Sequence, residues 1–128
     1  MSHVFLIVDD SSTMRKILKR ALSMSHLEVG TVHEASHGGE ALEILARADV
    51  DVAFVDINMP HMNGLELMQR MVEAGSLRRT AVVIVSTERS EERIERLTEL
   101  GAHYLAKPFH PEQVRGAVER ALAATRPL

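Results

Sequence analysis

The sequence predicts an α/β protein, a doubly wound sandwich in which helices cover both faces of a parallel sheet. Short β-branched runs alternate along the chain with segments of helical period. Two runs, 52–55 and 81–85, are apolar without alternation, which is typical of strands covered on both faces. The length of 128 residues fits one domain with one core. We therefore expect a single domain spanning 1–128, with no output domain.

The predicted strands are the β-branched or apolar runs Val4 to Val8, Thr31 to Ala35, Val52 to Val55, Ala81 to Val85 and His103 to Ala106. Each run is followed by apolar side chains at the spacing of one helix face. Those positions are Met14, Ile17, Leu18, Ala21 and Leu22; Ala41, Leu42 and Leu45; Leu65, Met68, Met71 and Val72; Ile94, Leu97 and Leu100; and Val114, Ala117, Val118, Ala121 and Leu122. The alternation amounts to five βα units.

Capping residues mark the boundaries of the later helices. Ser90 can cap the fourth helix, whose first turn carries Glu91 and Glu92 in favourable positions for the helix dipole. Gly101 can adopt the left-handed conformation that ends this helix, and Pro111 suits the first turn of the fifth.

Composition and charge exclude several classes of function. A net charge of -3 and a pI near 6.1 argue against direct nucleic-acid binding. The chain has no cysteine, so disulfides and thiolate metal sites are excluded. No apolar stretch approaches the ~18 residues of a membrane span, and the N-terminus lacks the features of a signal peptide. We expect a cytoplasmic protein without membrane insertion.

Polar side chains follow four of the predicted strands. Asp9 and Asp10 follow the first strand, Asp56 the third, Ser86 the fourth and Lys107 the fifth. Ligands of open parallel sheets bind outside the carboxyl ends of the strands, so these side chains are expected to share one pocket. A carboxylate nucleophile with a hydroxyl and an ammonium nearby is suited to phosphoryl transfer.

The clustered carboxylates also predict a metal. Asp10 and Asp56 at neighbouring strand ends would repel each other, whereas a divalent cation would hold both ionised. All candidate donors are oxygens, including a backbone carbonyl near Asn58, and this donor set suits Mg²⁺ rather than zinc.

At these residues the sequence resembles the receiver domain of two-component response regulators, most closely the stand-alone CheY-like type of chemotaxis. The resemblance covers the whole chain. It is carried by four motifs: the acidic pair within 8–12, the acceptor loop 56–64, Val85-Ser86-Thr87, and Lys107-Pro108-Phe109. It implies a flavodoxin-like sandwich with five parallel strands in the order 2-1-3-4-5.

The resemblance also implies a role for each site residue. Asp56 would accept a phosphoryl group from a sensor histidine kinase or a histidine phosphotransfer protein. Mg²⁺ would be ligated by Asp10, Asp56 and the backbone carbonyl of Asn58, and held through water by Asp9. Ser86 and Lys107 would bind the phosphoryl oxygens. By the same resemblance, the Lys107-Pro108 bond is expected to be cis.

The resemblance further implies a switch. Ser86 would move toward the acyl phosphate and Tyr104 would turn inward behind it, altering the face formed by the fourth helix, fifth strand and fifth helix, where a downstream protein binds. Asn58 and Glu88 match the chemotaxis pattern and could orient an attacking water, which predicts relatively fast self-dephosphorylation. Ser86 stands where threonine is common, so the switch keeps its hydroxyl but loses a methyl group.

The pattern His33-Glu34-Ala35-Ser36-His37 matches the H-E-x-x-H motif of zinc proteases, which requires a helix. On a helix the two imidazoles lie about 6 Å apart along the axis, but on a strand the interval is about 13 Å. Val29 to Ala35 is predicted to be the second strand, and the following Gly38 and Gly39 discourage a helix through the motif. A metalloprotease is therefore disfavoured.

Three further alternatives are a phosphatase, a pseudo-receiver and a phosphorelay shuttle. A haloacid-dehalogenase-type phosphatase uses a similar residue set but has an Asp-x-Asp nucleophile loop, and the second aspartate is absent after both Asp9 and Asp56. A pseudo-receiver would lack the acceptor, an acid or the lysine. We therefore expect a phosphoacceptor switch that assists its own phosphorylation and dephosphorylation, rather than an enzyme. A phosphorelay shuttle stays open beside chemotaxis-type signalling.

Overall fold

The computed structural model describes residues 2–87 and 91–125. Its strands are β1 (His3–Val8), β2 (Val29–Ala35), β3 (Val52–Asp56), β4 (Ala81–Ser86) and β5 (His103–Ala106). Its helices are α1 (Ser12–Ser23), α2 (Gly38–Arg47), α3 (Gly64–Glu73), α4 (Glu91–Glu99) and α5 (Pro111–Thr125), with a short 3₁₀ helix at Ser76–Arg78. The strands form one parallel sheet in the order β2-β1-β3-β4-β5, which confirms the predicted doubly wound fold.

Alternate strand residues build two hydrophobic layers, one on each face of the sheet. On one face, Leu6 and Val8 of β1 belong to a cluster that includes buried residues of α2, α3 and α4. On the other, Phe5 and Ile7 belong to a cluster with buried residues of α1 and α5. Every residue of β3 and β4 is buried, as their unbroken apolar runs predict. The central strands are therefore a rigid base for side chains at their ends.

The boundaries depart from the sequence prediction in a few places. β3 and β4 each extend one residue further, so that Asp56 and Ser86 are the last residues of their strands. Gly101 has a φ of 102° after α4, and Pro111 opens α5, as predicted. The predicted cap Ser90 lies outside the described residues.

Among the described helices, none is both long and apolar enough to cross a lipid bilayer.

The H-E-x-x-H motif does not lie on a helix. His33 and Glu34 belong to β2, and His37 caps α2 by accepting a hydrogen bond from the backbone N–H of Glu40 at 3.1 Å. Gly38 nevertheless begins α2, although glycine is a weak helix former. A Cβ at Gly38 would collide with the side chain of Met62, so tertiary packing explains this glycine.

Gly64→Ala tests the close packing behind Asp56. A Cβ at this position would lie 2.9 Å from both the carbonyl oxygen of Asp56 and the Cα of Ile57, and neither backbone atom can rotate away. We expect the free energy of unfolding to fall by roughly 1–3 kcal/mol, measured by denaturant titration.

Gly39→Ala is the matched control in the first turn of α2. Its Cβ would meet only the His37 ring, at 3.4 Å, which is ordinary contact. Because alanine is the better helix former, this variant should be unchanged or stabilised by up to about 1 kcal/mol. Equal stability of the two variants would contradict the packing explanation.

Candidate functional site

Four strand ends bring the predicted polar residues together. Asp9 directly follows β1, Asp56 ends β3, Ser86 ends β4 and Lys107 directly follows β5. Because all four strands are parallel, these residues lie at the same edge of the sheet. The chain leaves β1 for β2 on one side and reaches β3 on the other, so the crevice between β1 and β3 is the topological switch point.

Three carboxylates form the acidic cluster, which we define as Asp9, Asp10 and Asp56. One oxygen from each lies within 4.8 Å of the other two. Asp9 and Asp56 are buried, whereas Asp10 is exposed. An all-oxygen donor set with one solvent-facing side fits Mg²⁺, which prefers carboxylate oxygens and retains several waters. The cluster could hold such a metal ion.

The ammonium group of Lys107 faces two of these carboxylates. Its Nζ lies 3.7 Å from Oδ2 of Asp9 and 3.8 Å from Oδ1 of Asp56. The backbone N–H of Lys107 donates to the carbonyl oxygen of Ser86 at 3.0 Å, which ties the end of β5 to the end of β4. The Lys107-Pro108 peptide bond is cis, as the sequence predicts.

The pKa of Asp56 is raised above its ordinary value. Burial is the main cause, and the negative charges of Asp9 and Asp10 add to it. The ammonium of Lys107 and a backbone hydrogen bond from Asn58, at 3.4 Å from Oδ1 of Asp56, act in the opposite direction. Ionising Asp56 therefore costs free energy when the protein is free of metal.

A hydrogen bond joins the predicted switch residues Ser86 of β4 and Tyr104 of β5. Ser86 is 1% exposed, and the hydroxyl of Tyr104 donates to its carbonyl oxygen at 3.0 Å. The half-buried ring of Tyr104 packs against the cluster of buried residues that includes Leu97 of α4. Glu88 lies outside the described residues.

An ion-pair network next to the site was missed from the sequence. Arg15 of α1 donates from Nε to Oε1 of Glu34 at 3.0 Å and from Nη1 to the carbonyl oxygen of Asp9 at 2.5 Å. Lys19 donates to the other oxygen of Glu34 at 3.3 Å. The one available signal was the four-residue spacing of Arg15 and Lys19, which places both on one face of α1.

Comparisons with known proteins agree with this fold. The model of the response regulator receiver domain family matches residues 5–119. The chemotaxis protein CheY1 of Helicobacter pylori is 39% identical over 119 residues, covering 91% of this chain and 94% of that protein. The CheY homolog of Campylobacter jejuni is 38% identical over 119 residues, covering 91% and 90%. The solved structure of Vibrio cholerae CheY4 superposes with a TM-score of 0.83 at 31% identity, covering 95% and 100%.

Fold and relatives together define the class as a signalling switch rather than a classical enzyme. The chain belongs to the response regulator receiver domain family, and it is a CheY-like member with homologues of the chemotaxis type. This confirms the resemblance inferred from the acidic pair, the acceptor loop, Ser86 and Lys107.

Asp56→Asn should stabilise the metal-free protein at neutral pH. The raised pKa means that the ionised carboxylate is less favourable in the folded than in the unfolded chain, so wild-type stability falls as pH rises through the folded pKa. We expect the variant to melt roughly 3 °C higher at pH 7 in EDTA, about 1 kcal/mol for a chain of this size.

The difference should shrink toward zero in acid, below the ordinary pKa of an aspartate, where Asp56 is protonated in both states. Asp49→Asn is the control, since it removes an exposed carboxylate whose ion-pair partner within residues 2–87 and 91–125 is Arg79 on the surface. A variant at Asp56 that is less stable than wild type at pH 7 would contradict the electrostatic explanation.

Proposed function

We propose that the chain is a phosphorylation switch for chemotaxis-type signalling. Asp56 would accept a phosphoryl group from the phosphohistidine of a sensor histidine kinase or histidine phosphotransfer protein. The observation that carries the proposal is the placement of the Asp56 carboxylate within 3.8 Å of the Lys107 ammonium, inside the acidic cluster at the switch point. The chemotaxis-type homologues favour this pathway.

The chain's own residues suit the transfer. A carboxylate oxygen of Asp56 forms a bond to phosphorus as the phosphorus–nitrogen bond to the donor imidazole breaks. The imidazole keeps the bonding electron pair and takes up a proton. Lys107 already faces Asp56 and can donate to an oxygen of the incoming group, and the Ser86 hydroxyl can donate to another.

Mg²⁺ would be held by Asp9, Asp10, Asp56 and the backbone carbonyl of Asn58. When bound, the metal supplies positive charge that offsets the carboxylates and the phosphoryl oxygens. The single positive charge of Lys107 does not balance the three carboxylates of the acidic cluster. The remaining negative charge favours a cation at this position. The buried Asp9 and Asp56 would keep the coordinating oxygens in place.

The readout would pass from Ser86 to Tyr104 and then to the surface formed by α4, β5 and α5. The hydroxyl of Tyr104 contacts the Ser86 carbonyl, and its ring lies against a cluster that includes Leu97 of α4. A shift of Ser86 toward a phosphoryl group would alter that hydrogen bond and the position of the ring. A downstream protein would bind the changed surface.

Loss of the phosphoryl group would be relatively fast. Asn58 follows Asp56 by two residues, and an amide there can orient a water for attack on the acyl phosphate. Glu88 would act with it. Persistence of the phosphoryl group for many hours in Mg²⁺ would contradict this part of the proposal.

Acetyl phosphate with Mg²⁺ should add one phosphoryl group to the wild-type chain, detected by intact-mass spectrometry. Asp56→Asn should abolish the addition because no carboxylate nucleophile remains, and EDTA should reduce it strongly. Asp49→Asn should label like wild type. Continuous release of phosphate from a generic ester would instead favour a phosphatase.

BeF₃⁻ with Mg²⁺ should perturb the backbone amide signals of Ser86 to Glu99 and Tyr104 in NMR spectra, because the switch surface would rearrange. Tyr104→Phe keeps the ring but removes the hydroxyl that donates to Ser86. We expect this variant to retain the changes near Ser86 and to weaken those of α4. Changes confined to the strand ends in wild type would contradict the switch.

A further inference from the structure

We propose that Arg15 is a positioning residue for the acidic cluster, acting through the peptide group that joins Asp9 to Asp10. This inference rests on the proposed function, because it concerns how the same metal-binding carboxylates are held. Arg15 lies on α1, outside the cluster, and its guanidinium connects α1 to both β2 and the loop after β1.

The peptide groups on both sides of Asp9 are anchored. Its N–H donates to the carbonyl oxygen of Ala35 at 3.1 Å, and its carbonyl oxygen accepts from Nη1 of Arg15. That carbonyl belongs to the peptide group that joins Asp9 to Asp10. The guanidinium therefore fixes the orientation of the peptide plane that precedes the Cα of Asp10. Asp9 has further support, since its Oδ1 accepts from the Ser11 N–H at 2.9 Å.

Asp10 depends more on this peptide than Asp9 does. Asp9 is buried between the Ser11 N–H and Lys107, whereas Asp10 is exposed to solvent. Few packing contacts restrict the orientation of an exposed side chain. The orientation of the preceding peptide plane therefore matters more for where the Asp10 carboxylate lies. Holding that plane would bring the Asp10 carboxylate within reach of a shared cation.

Arg15 is itself held in place. Its side chain is only 16% exposed. Oε1 of Glu34 in β2 accepts a hydrogen bond from its Nε, while Lys19 donates to the other carboxylate oxygen. A guanidinium can reach Glu34 and the Asp9 carbonyl at once because its donors point in fixed, divergent directions. Burial by itself would raise the pKa of Glu34, but the hydrogen bonds and positive charges of Arg15 and Lys19 together lower it, so Glu34 stays ionised at neutral pH.

Coulombic repulsion and positioning predict opposite results for removing Arg15. A positive charge near a cation site repels the cation, so its loss by itself would tighten Mg²⁺ binding. Loss of a positioning contact would weaken binding instead. The sign of the change in affinity therefore distinguishes the two roles.

The experiment compares Arg15→Gln with Lys19→Gln by calorimetric titration of Mg²⁺ into the metal-free chain. Both variants lose one positive charge and one contact to Glu34, but only the first loses the contact to Asp9. We expect roughly tenfold weaker binding for Arg15→Gln and a change of less than about twofold for Lys19→Gln. Unchanged or tighter binding in Arg15→Gln, or equal weakening in both variants, would overturn the proposal.

Arg15→Lys provides a second variant if Arg15→Gln does not fold. It keeps the charge, so weaker Mg²⁺ binding would report geometry alone, and about threefold weaker binding is expected because one ammonium cannot reproduce the fork. Affinity equal to that of wild type would overturn the role of the guanidinium.

Relaxation of the ¹⁵N nuclei of Asp10 and Ser11 in the metal-free chain separates this inference from the proposed function. These amides should become more mobile in Arg15→Gln than in Lys19→Gln, and equal mobility would overturn the positioning role. If wild type bound no Mg²⁺, the proposed function would fail, and the relaxation result would still decide whether Arg15 positions the loop.

Discussion

A lysine ammonium between two buried carboxylates is the interaction on which the site depends. The Nζ of Lys107 lies 3.7 Å from Asp9 and 3.8 Å from Asp56, at the ends of neighbouring strands where water solvates the charges poorly. Without that cation, the two carboxylates would repel each other at close range. The pairing of β5 with β4, in which Ser86 lies opposite Ala106, places Lys107 beside the two carboxylates. This strand pairing therefore has an electrostatic role as well as a structural one.

The negative charge of the acidic cluster is only partly balanced by Lys107. Lys107 pairs with two of the three carboxylates, and the raised pKa of Asp56 reflects burial together with the remaining repulsion from Asp9 and Asp10. A protein selected only for stability would replace one of these acids, as many functional sites could be stabilised at the expense of activity. Excess negative charge favours a divalent cation here, and in the proposed function a bound cation would offset the charge of a phosphoryl group beside Asp56.

The fold and the grouping of polar residues at the strand ends could be predicted from the sequence because both follow from local patterns. Unalternating runs such as Val52 to Val55 occur in strands buried on both faces, and parallel strands place their terminal residues at one edge. The contact of Arg15 with Glu34 could not be predicted in this way. It requires the register of β1 against β2, in which Ile7 pairs with Glu34, and the rotation of α1 over both strands. Packing of Met62 likewise overrides the weak helix propensity of Gly38.

Ser86 is the point at which the proposed acceptor site and the proposed readout surface meet. Its carbonyl oxygen accepts hydrogen bonds from the backbone N–H of Lys107 and from the hydroxyl of Tyr104. One atom therefore contacts both Lys107, which faces Asp56, and Tyr104, whose ring packs against the cluster that includes Leu97 of α4. A displacement of the end of β4 relative to β5 would change both hydrogen bonds together. In the proposed switch, a long conformational pathway is therefore unnecessary, because the end of β4 pairs with Asp56 through Val85 and contacts the Tyr104 hydroxyl through Ser86.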